Sequence, residues 1–210
     1  MEVYWPLFGI RLLYRDVLLR PMREADLPVL AAMLPGDVGH DPRLPMFASQ
    51  TFEENERRLF CQGYWRSMGN WDPSDWALHF VVSAGGRTVG VQTLEGANFP
   101  RLRTVDSASW LIPAARGHGV GVAMRTAVLG LAFDHLGAVA AISSATLDNA
   151  ASLGVSRRIG YAENGRSRIV DTSGEVVELQ NFLLTAANWP GAEVTVSGLT
   201  PARPWFGLDD

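Results

Sequence analysis

The sequence predicts an α/β fold, on three observations. Two runs of strand composition, Trp76 to Ser83 and Arg87 to Leu94, flank Ala84-Gly-Gly86, which is the spacing of a tight hairpin. Downstream, Arg116-Gly-His-Gly-Val-Gly121 opens into Val120, Ala123/Met124, Ala127/Val128, Leu131 and His135, an apolar stripe of helical period. Around these, segments of period two and period 3.6 follow one another in the order β-α-α-β-β-β-α-β-α-β-β.

Each element has its own local reason. Val17 to Arg20 reads as a strand that turns at Pro21 into a helix over Arg23 to Met33, where Leu27, Leu30 and Ala31 share a face. Pro35, Gly36, Gly39, Pro42 and Pro45 punctuate the next stretch too often for a helix. Thr51 with Glu54 forms a capping-box pattern that opens a second helix to about Met68. After the hairpin, a turn at Asn98 to Arg103 leads to a strand over Thr104 to Ile112. Gly137 ends the long helix, Ala138 to Thr146 reads as a buried strand, and Asp148 or Asn149 caps a helix that runs to Ile159 and stops at Gly160. Tyr161 to Val170 and Val176 to Leu184 are the closing strands. Residues 1–190 read as one domain and residues 191–210, rich in Pro and Gly, as an appended arm whose Trp205 and Phe206 look exposed and suit packing on the domain or a dimer partner.

Composition narrows the chemistry. The 210 residues carry 18 basic and 22 acidic side chains for a net charge of −4, with 47% hydrophobic and 19% charged residues, the profile of a globular domain. Every basic residue is arginine, so Walker A, Schiff-base and kinase-type lysine chemistry is excluded. No clustered basic surface suits nucleic acid. The apolar run Val120 to Val139 is broken by Arg125, Asp134 and His135, short of the roughly 20 residues of a membrane span. A lone Cys61 and an N-terminus without a signal-peptide pattern predict a cytoplasmic protein without an intrachain disulfide. The four histidines have no metal spacing, and no metal is expected.

The Arg116 to Gly121 loop lies between a strand and a long helix, where free amides meet the positive end of a helix dipole and bind phosphate. The glycines permit close backbone approach, and Arg116 adds charge at the mouth; a plain tight turn is the competing reading. Arg116, Gly119 and Gly121 fit the R/Q-x-x-G-x-G/A signature, and Asp148 to Tyr161 fits an N-x-x-S…G-F/Y segment. Together these resemble the GCN5-related N-acetyltransferase (GNAT) superfamily. Leu18-Leu-Arg-Pro21 and Ser109-Trp-Leu-Ile112 resemble its ribosomal-protein N-acetyltransferase branch, so the likeness runs from Val17 to Leu184. The wider pattern from Trp5-Pro-Leu-Phe8 through Val105-Asp-Ser107 to Pro204-Trp-Phe-Gly207 is similar to actinobacterial members that use succinyl-CoA.

The resemblance implies a mixed, mostly antiparallel sheet, splayed near Trp110 to Ile112 where coenzyme A enters, with helices on both faces. It implies that Arg116, Gly117, His118, Gly119, Val120, Gly121 and Val122 hold the pyrophosphate. Trp110, Leu111 and Ile112 would pair with the pantetheine arm and offer an amide to the thioester oxygen. Asn149 would bond the pantetheine region or cap its helix. Asp106 would serve as the base for the amine; a polar strand-edge residue or an ion-pair partner of Arg103 is the alternative. Ser156 stands where many members carry a tyrosine acid. Ser152 is therefore the substitute, unless it is an ordinary helix hydroxyl. His40 and Asp41 lie in the connection that covers the acceptor in this fold. His118 reads as lining the coenzyme, His135 as a core histidine and Cys61 as packing.

The expected reaction is direct transfer of an acetyl or succinyl group from acetyl-CoA or succinyl-CoA to a primary amine: a protein N-terminus, a protein lysine or a small molecule. A succinyl donor needs a basic or hydroxyl cluster, for which Arg57, Arg58 and Arg66 are candidates. The alternative is a noncatalytic coenzyme A-binding sensor or assembly module, which the missing tyrosine permits. A homodimer contact through the arm is a further expectation.

Overall fold

In the computed structural model, residues 1–38, 44–171 and 174–208 are described. Among them nine strands form one sheet: β1 (Arg11–Tyr14), β2 (Val17–Pro21), β3 (Asp75–Ala84), β4 (Arg87–Ala97), β5 (Thr104–Leu111), β6 (Ala140–Thr146), β7 (Ala162–Val170), β8 (Val176–Thr185) and β9 (Thr195–Ser197). Their spatial order is β7-β8-β6-β5-β4-β3-β2-β1-β9, and the β5–β6 pair is parallel while the other described pairs are antiparallel. The helices are α1 (Leu27–Ala32), α2 (Phe52–Gly69), α3 (Phe99–Leu102), α4 (Val120–Gly130) and α5 (Ala150–Ile159).

Alternation along the strands sends side chains to two cores. Phe80, Val82 and Leu94 face Ala123, Ala127 and Val128 of α4, whereas Val81 and Val91 face Leu27, Leu30 and Tyr64 of α1 and α2. The α1–α2 layer and α4 therefore cover opposite faces of the sheet. The capping box forms as its pattern predicts: the Glu54 amide donates to Thr51 Oγ1 at 3.2 Å, and the Thr51 amide donates to Glu54 Oε2 at 2.7 Å.

Three differences from the sequence reading have local causes. β1 was not anticipated, because its hairpin to β2 turns through Arg15 at φ 56° with no glycine or asparagine to announce it. His135 is exposed and not a core residue. Residues Leu131–His135 form a π-helical turn, with the Leu136 amide on the Leu131 carbonyl at 3.0 Å, and the wider turn rotates His135 off the apolar stripe. Phe206 is 0% exposed and Trp205 half-buried, so the arm's aromatics pack within their own chain. β9 pairs with β1 through Leu12↔Val196, and Phe206 sits edge-on to Trp76 with ring centroids 4.9 Å apart. Trp71 Nε1 donates to the Trp205 carbonyl at 3.0 Å. At Gly198, φ 71°, a Cβ would lie 2.0 Å from the Gly9 carbonyl oxygen, so only glycine permits this crossing.

Truncating this anchor is costly. Phe206→Ala is expected to lower the unfolding free energy by about 3–5 kcal/mol, read from denaturant midpoints at constant m-value.

Candidate active site

β5 pairs with β4 along its length, from Gly90↔Leu111 to Glu95↔Asp106, but with β6 only at Thr104↔Ala140 and Val105↔Ala141. Beyond Val105 the strands part, while the other edge of β6 stays paired with β8 from Ala140↔Thr185 to Thr146↔Leu179. The splay thus opens at Asp106 and widens along β5, earlier than the expected Trp110 to Ile112. A cavity of about 1120 Å³ fills it and reaches the glycine loop.

The loop has the form of an anion cradle. Gly117 and Gly119 take left-handed conformations at φ 78° and 82°, and α4 starts at Gly119 with no side chain capping it and no acidic residue in its first turn. Its first amides therefore point outward unpartnered by any side chain. Gly121 serves packing: a Cβ there would meet Val155 Cγ2 of α5 at 3.4 Å. Arg116 does not offer a free charge. Its Nε donates to the Leu111 carbonyl at 2.9 Å, and Nη1 and Nη2 hold Asp37 at 2.5 and 2.8 Å, tying the α1–α2 connection to the loop. This pair draws the Asp37 carboxyl below its usual range.

Of the residues expected to hold coenzyme, Trp110, Leu111, Arg116, Gly117, Gly119, Gly121, Val122, Asn149 and Ser152 line the cavity. Ile112, His118 and Val120 are not on its wall. The Ile112 amide is spent on the Val89 carbonyl at 2.9 Å, Val120 packs against the core, and His118 stands exposed on the loop. Asn149 is a helix cap: its Oδ1 accepts the Ser152 amide at 3.0 Å. His40 and Asp41 lie outside the described residues. Arg57 pairs with Glu53, and Arg58 is held by Asn55, Gln50 and the Pro45 carbonyl, which leaves Arg66 as the member of the trio on the cavity wall.

Asp106 faces the α2 side of the gap. Burial raises its carboxyl above the ordinary range, against the Ser107 amide it accepts at 2.7 Å and the Arg125 charge. Its alternative partner, Arg103, lies instead over the Phe99 ring and donates to the Leu136 carbonyl at 3.3 Å. Sequence reasoning missed four groups. Glu95 sits directly across from Asp106 and is raised by burial and by the Asp106 and Asp75 charges. His79, one same-face row further along the sheet, bonds Thr93 Oγ1 through Nδ1 at 2.9 Å, and burial pushes its pKa down to about 4, so it is neutral. Arg125 is buried beneath the gap and donates to Ser143 Oγ and Ser156 Oγ at 3.2 and 3.1 Å. Asp37 completes the set; of the four, only Arg125 left a legible trace, as a charge within an apolar helical stripe. Cys61 is half-buried with its thiol raised by burial, which fits packing.

Comparison with known proteins agrees with this geometry. Residues 16–162 match the acetyltransferase (GNAT) domain model, and the chain belongs to that family. It is an acyltransferase of the class that moves acyl groups from coenzyme A to amines. Mycobacterium smegmatis RimJ, solved with CoA-disulfide, superposes with TM-score 0.70 at 19% identity over 89% of this chain and 92% of that one. Spermidine N-acetyltransferase from Vibrio cholerae, solved with CoA and spermine, gives 0.63 at 15% identity over 83% and 98%. A GNAT-family acetyltransferase from Bacillus anthracis gives 0.65 at 16% over 84% and 99%. Among the described residues no cluster of His, Cys, Asp and Glu is placed to hold a metal ion, and no helix is long and apolar enough to cross a membrane.

A phosphate ligand at the loop mouth would meet the Asp37 carboxylate that pairs with Arg116. Asp37→Asn is expected to tighten coenzyme A binding roughly fivefold, the effect of about 1 kcal/mol of charge interaction near water. Calorimetric titration checks this, and because the pair is exposed, stability should change by less than about 1 kcal/mol.

Proposed function

We propose that the protein transfers an acetyl or succinyl group from acyl-CoA to a primary amine by direct attack, with Asp106 as the base. The observation that carries this reading is the position of Asp106 between two cavities. The larger runs from the glycine loop along β5, and a second of about 220 Å³ opens among Ser143, Ser144, Asn164 and Asn181. Asp106 borders both, so a donor entering along β5 and an acceptor entering across β6 and β8 would meet at its carboxylate.

The chemistry follows from that meeting point. An ammonium must lose a proton before it can attack, and a carboxylate raised by burial is a stronger base than one in water. Glu95 opposite adds negative charge that attracts the cation. The amine nitrogen then bonds the thioester carbon, the carbonyl pair moves to oxygen, and amides on the unpaired edge of β5 supply fixed dipoles for that charge. Ser152, which lines the main cavity at the first turn of α5, would return a proton toward sulfur. The acceptor is a protein N-terminus, a protein lysine or a small amine; the Vibrio cholerae relative named for spermidine supports a small cationic amine. The donor is acetyl-CoA or succinyl-CoA, with Arg66 the cavity-lining arginine of the original trio available to a distal carboxylate.

Incubation with acetyl-CoA and succinyl-CoA across a panel of amines, followed by free-thiol release and intact mass, tests this reading. One acyl mass on an acceptor with matching thiol release supports it; tight coenzyme binding with no transfer to any amine contradicts it. Asp106→Asn is expected to cut kcat/KM by about 10²–10⁴ while leaving coenzyme affinity intact. Because the base works ionised and burial raises it, wild-type activity should fall as pH drops through a value above the ordinary carboxylate range. The Asn variant should lack that limb.

A further inference from the structure

A guanidinium stays charged wherever the protein is folded, so a buried arginine calls for an anion or a full set of acceptors. Arg125 has neither. It is 4% exposed, its Nη1 meets only the hydroxyls of Ser143 and Ser156, and its Nε is buried without an acceptor. Among the described residues no carboxylate lies within ion-pair distance of it. The ionisable groups whose charge reaches it are Asp106 on β5 and Tyr161 after α5, and the Tyr161 hydroxyl is itself buried without a partner.

Its location says what the missing partner is. Arg125 lines the main cavity. Ser143, which anchors it, is three residues beyond Ala140 on β6, as Ser107 is beyond Thr104 on β5, so the guanidinium sits level with the mouth of the splay. Ser143 faces α4, whereas Ser144, its neighbour in register with Asn181, faces the other side of the sheet. The cation therefore enters the gap from the α4 face of the sheet and the Glu95 and Asp106 carboxylates from the α2 face, and all three line the main cavity.

We propose that Arg125 is a catalytic residue that faces the thioester sulfur and stabilises the thiolate as the carbon–sulfur bond breaks. The proposal rests on the acyl-CoA reading of the cavity. In the step, the returning carbonyl pair expels the carbon–sulfur bonding pair onto sulfur. The proton shed by the new amide nitrogen passes to Asp106 and on to water, and the thiolate is reprotonated, through Ser152 or directly by water, as the coenzyme leaves. A fixed cation at sulfur makes the departure less dependent on a strong acid, which suits a site where Ser156 already accepts from Nη1.

The test reads the thiol of bound coenzyme A. Calorimetry of coenzyme A against desulfo-coenzyme A is run across alkaline pH, with thiolate absorbance followed in the complex, for wild type, Arg125→Met and Arg125→Lys; Asp106→Asn and Tyr161→Phe identify those groups' own protons. Wild type should ionise the bound thiol at lower pH than the free coenzyme and prefer coenzyme A increasingly as pH rises. Arg125→Met should abolish both effects and lower kcat about 100-fold with acceptor KM unchanged, and Arg125→Lys should restore most of each. A wild-type complex whose thiol titrates like the free coenzyme overturns the proposal, with no variant needed. So does an Arg125→Met defect confined to KM for succinyl-CoA, which would put the cation on a distal carboxylate. Failure of wild type to bind coenzyme A at all would instead remove the acyl-CoA reading.

Discussion

A parallel contact of two residue pairs, Thr104↔Ala140 and Val105↔Ala141, governs this structure. Had β5 and β6 stayed paired, the sheet would be closed and the backbone edge of β5 satisfied within it. Because β6 diverges from β5 after two pairs while staying with β8, a strand with unspent hydrogen-bonding groups faces a cavity instead. The neighbours of β5 absorb the cost. β4 holds its other edge over six residue pairs, and Gly90 lets the Trp110 carbonyl approach to where a Cβ would be 2.1 Å away. Any side chain at that position would push β5 out of line and close or misplace the gap.

The same divergence separates charge. On the α2 side lie Glu95 and Asp106, with neutral His79 and a Tyr64 whose hydroxyl, pushed up to about 12 by burial, donates to the Met22 carbonyl at 3.3 Å. On the α4 side lies Arg125 on two serines. Neither set is arranged for stability: facing carboxylates repel, and an arginine on neutral hydroxyls forfeits the ion pair that usually offsets desolvation. Buried charge of opposite sign on the two sides of one opening fits a reaction in which an ammonium loses a proton on one side and a thiolate forms on the other.

The parts read from sequence were those whose signal is local. Gly117, Gly119 and Gly121 announce a turn and a helix start by their spacing, Thr51 and Glu54 announce a cap, and the hairpin announces itself at Ala84-Gly-Gly86. Asp106 and Ser152 were singled out by motif order, and the structure places both on the cavity wall. What escaped depends on register and on distant contacts. Glu95 matters because it falls opposite Asp106, and Asp37 because it meets Arg116, 79 positions away. The exposed look of Trp205 and Phe206 was misleading, because Phe206 among prolines reads as surface until Trp71 and Trp76 are placed beside it. His135 failed for a different reason, since a π-helical turn shifts the phase of a stripe without changing its composition.

The central claim is that the gap between β5 and β6 is where the acyl donor lies, and a crystal structure of the protein with coenzyme A tests it most directly. The account predicts pyrophosphate oxygens on the first amides of α4 and the pantetheine arm along β5 from Leu111 toward Asp106, with the sulfur at the mouth of the splay. Coenzyme bound elsewhere, or β5 and β6 paired along their length in the complex, would contradict it.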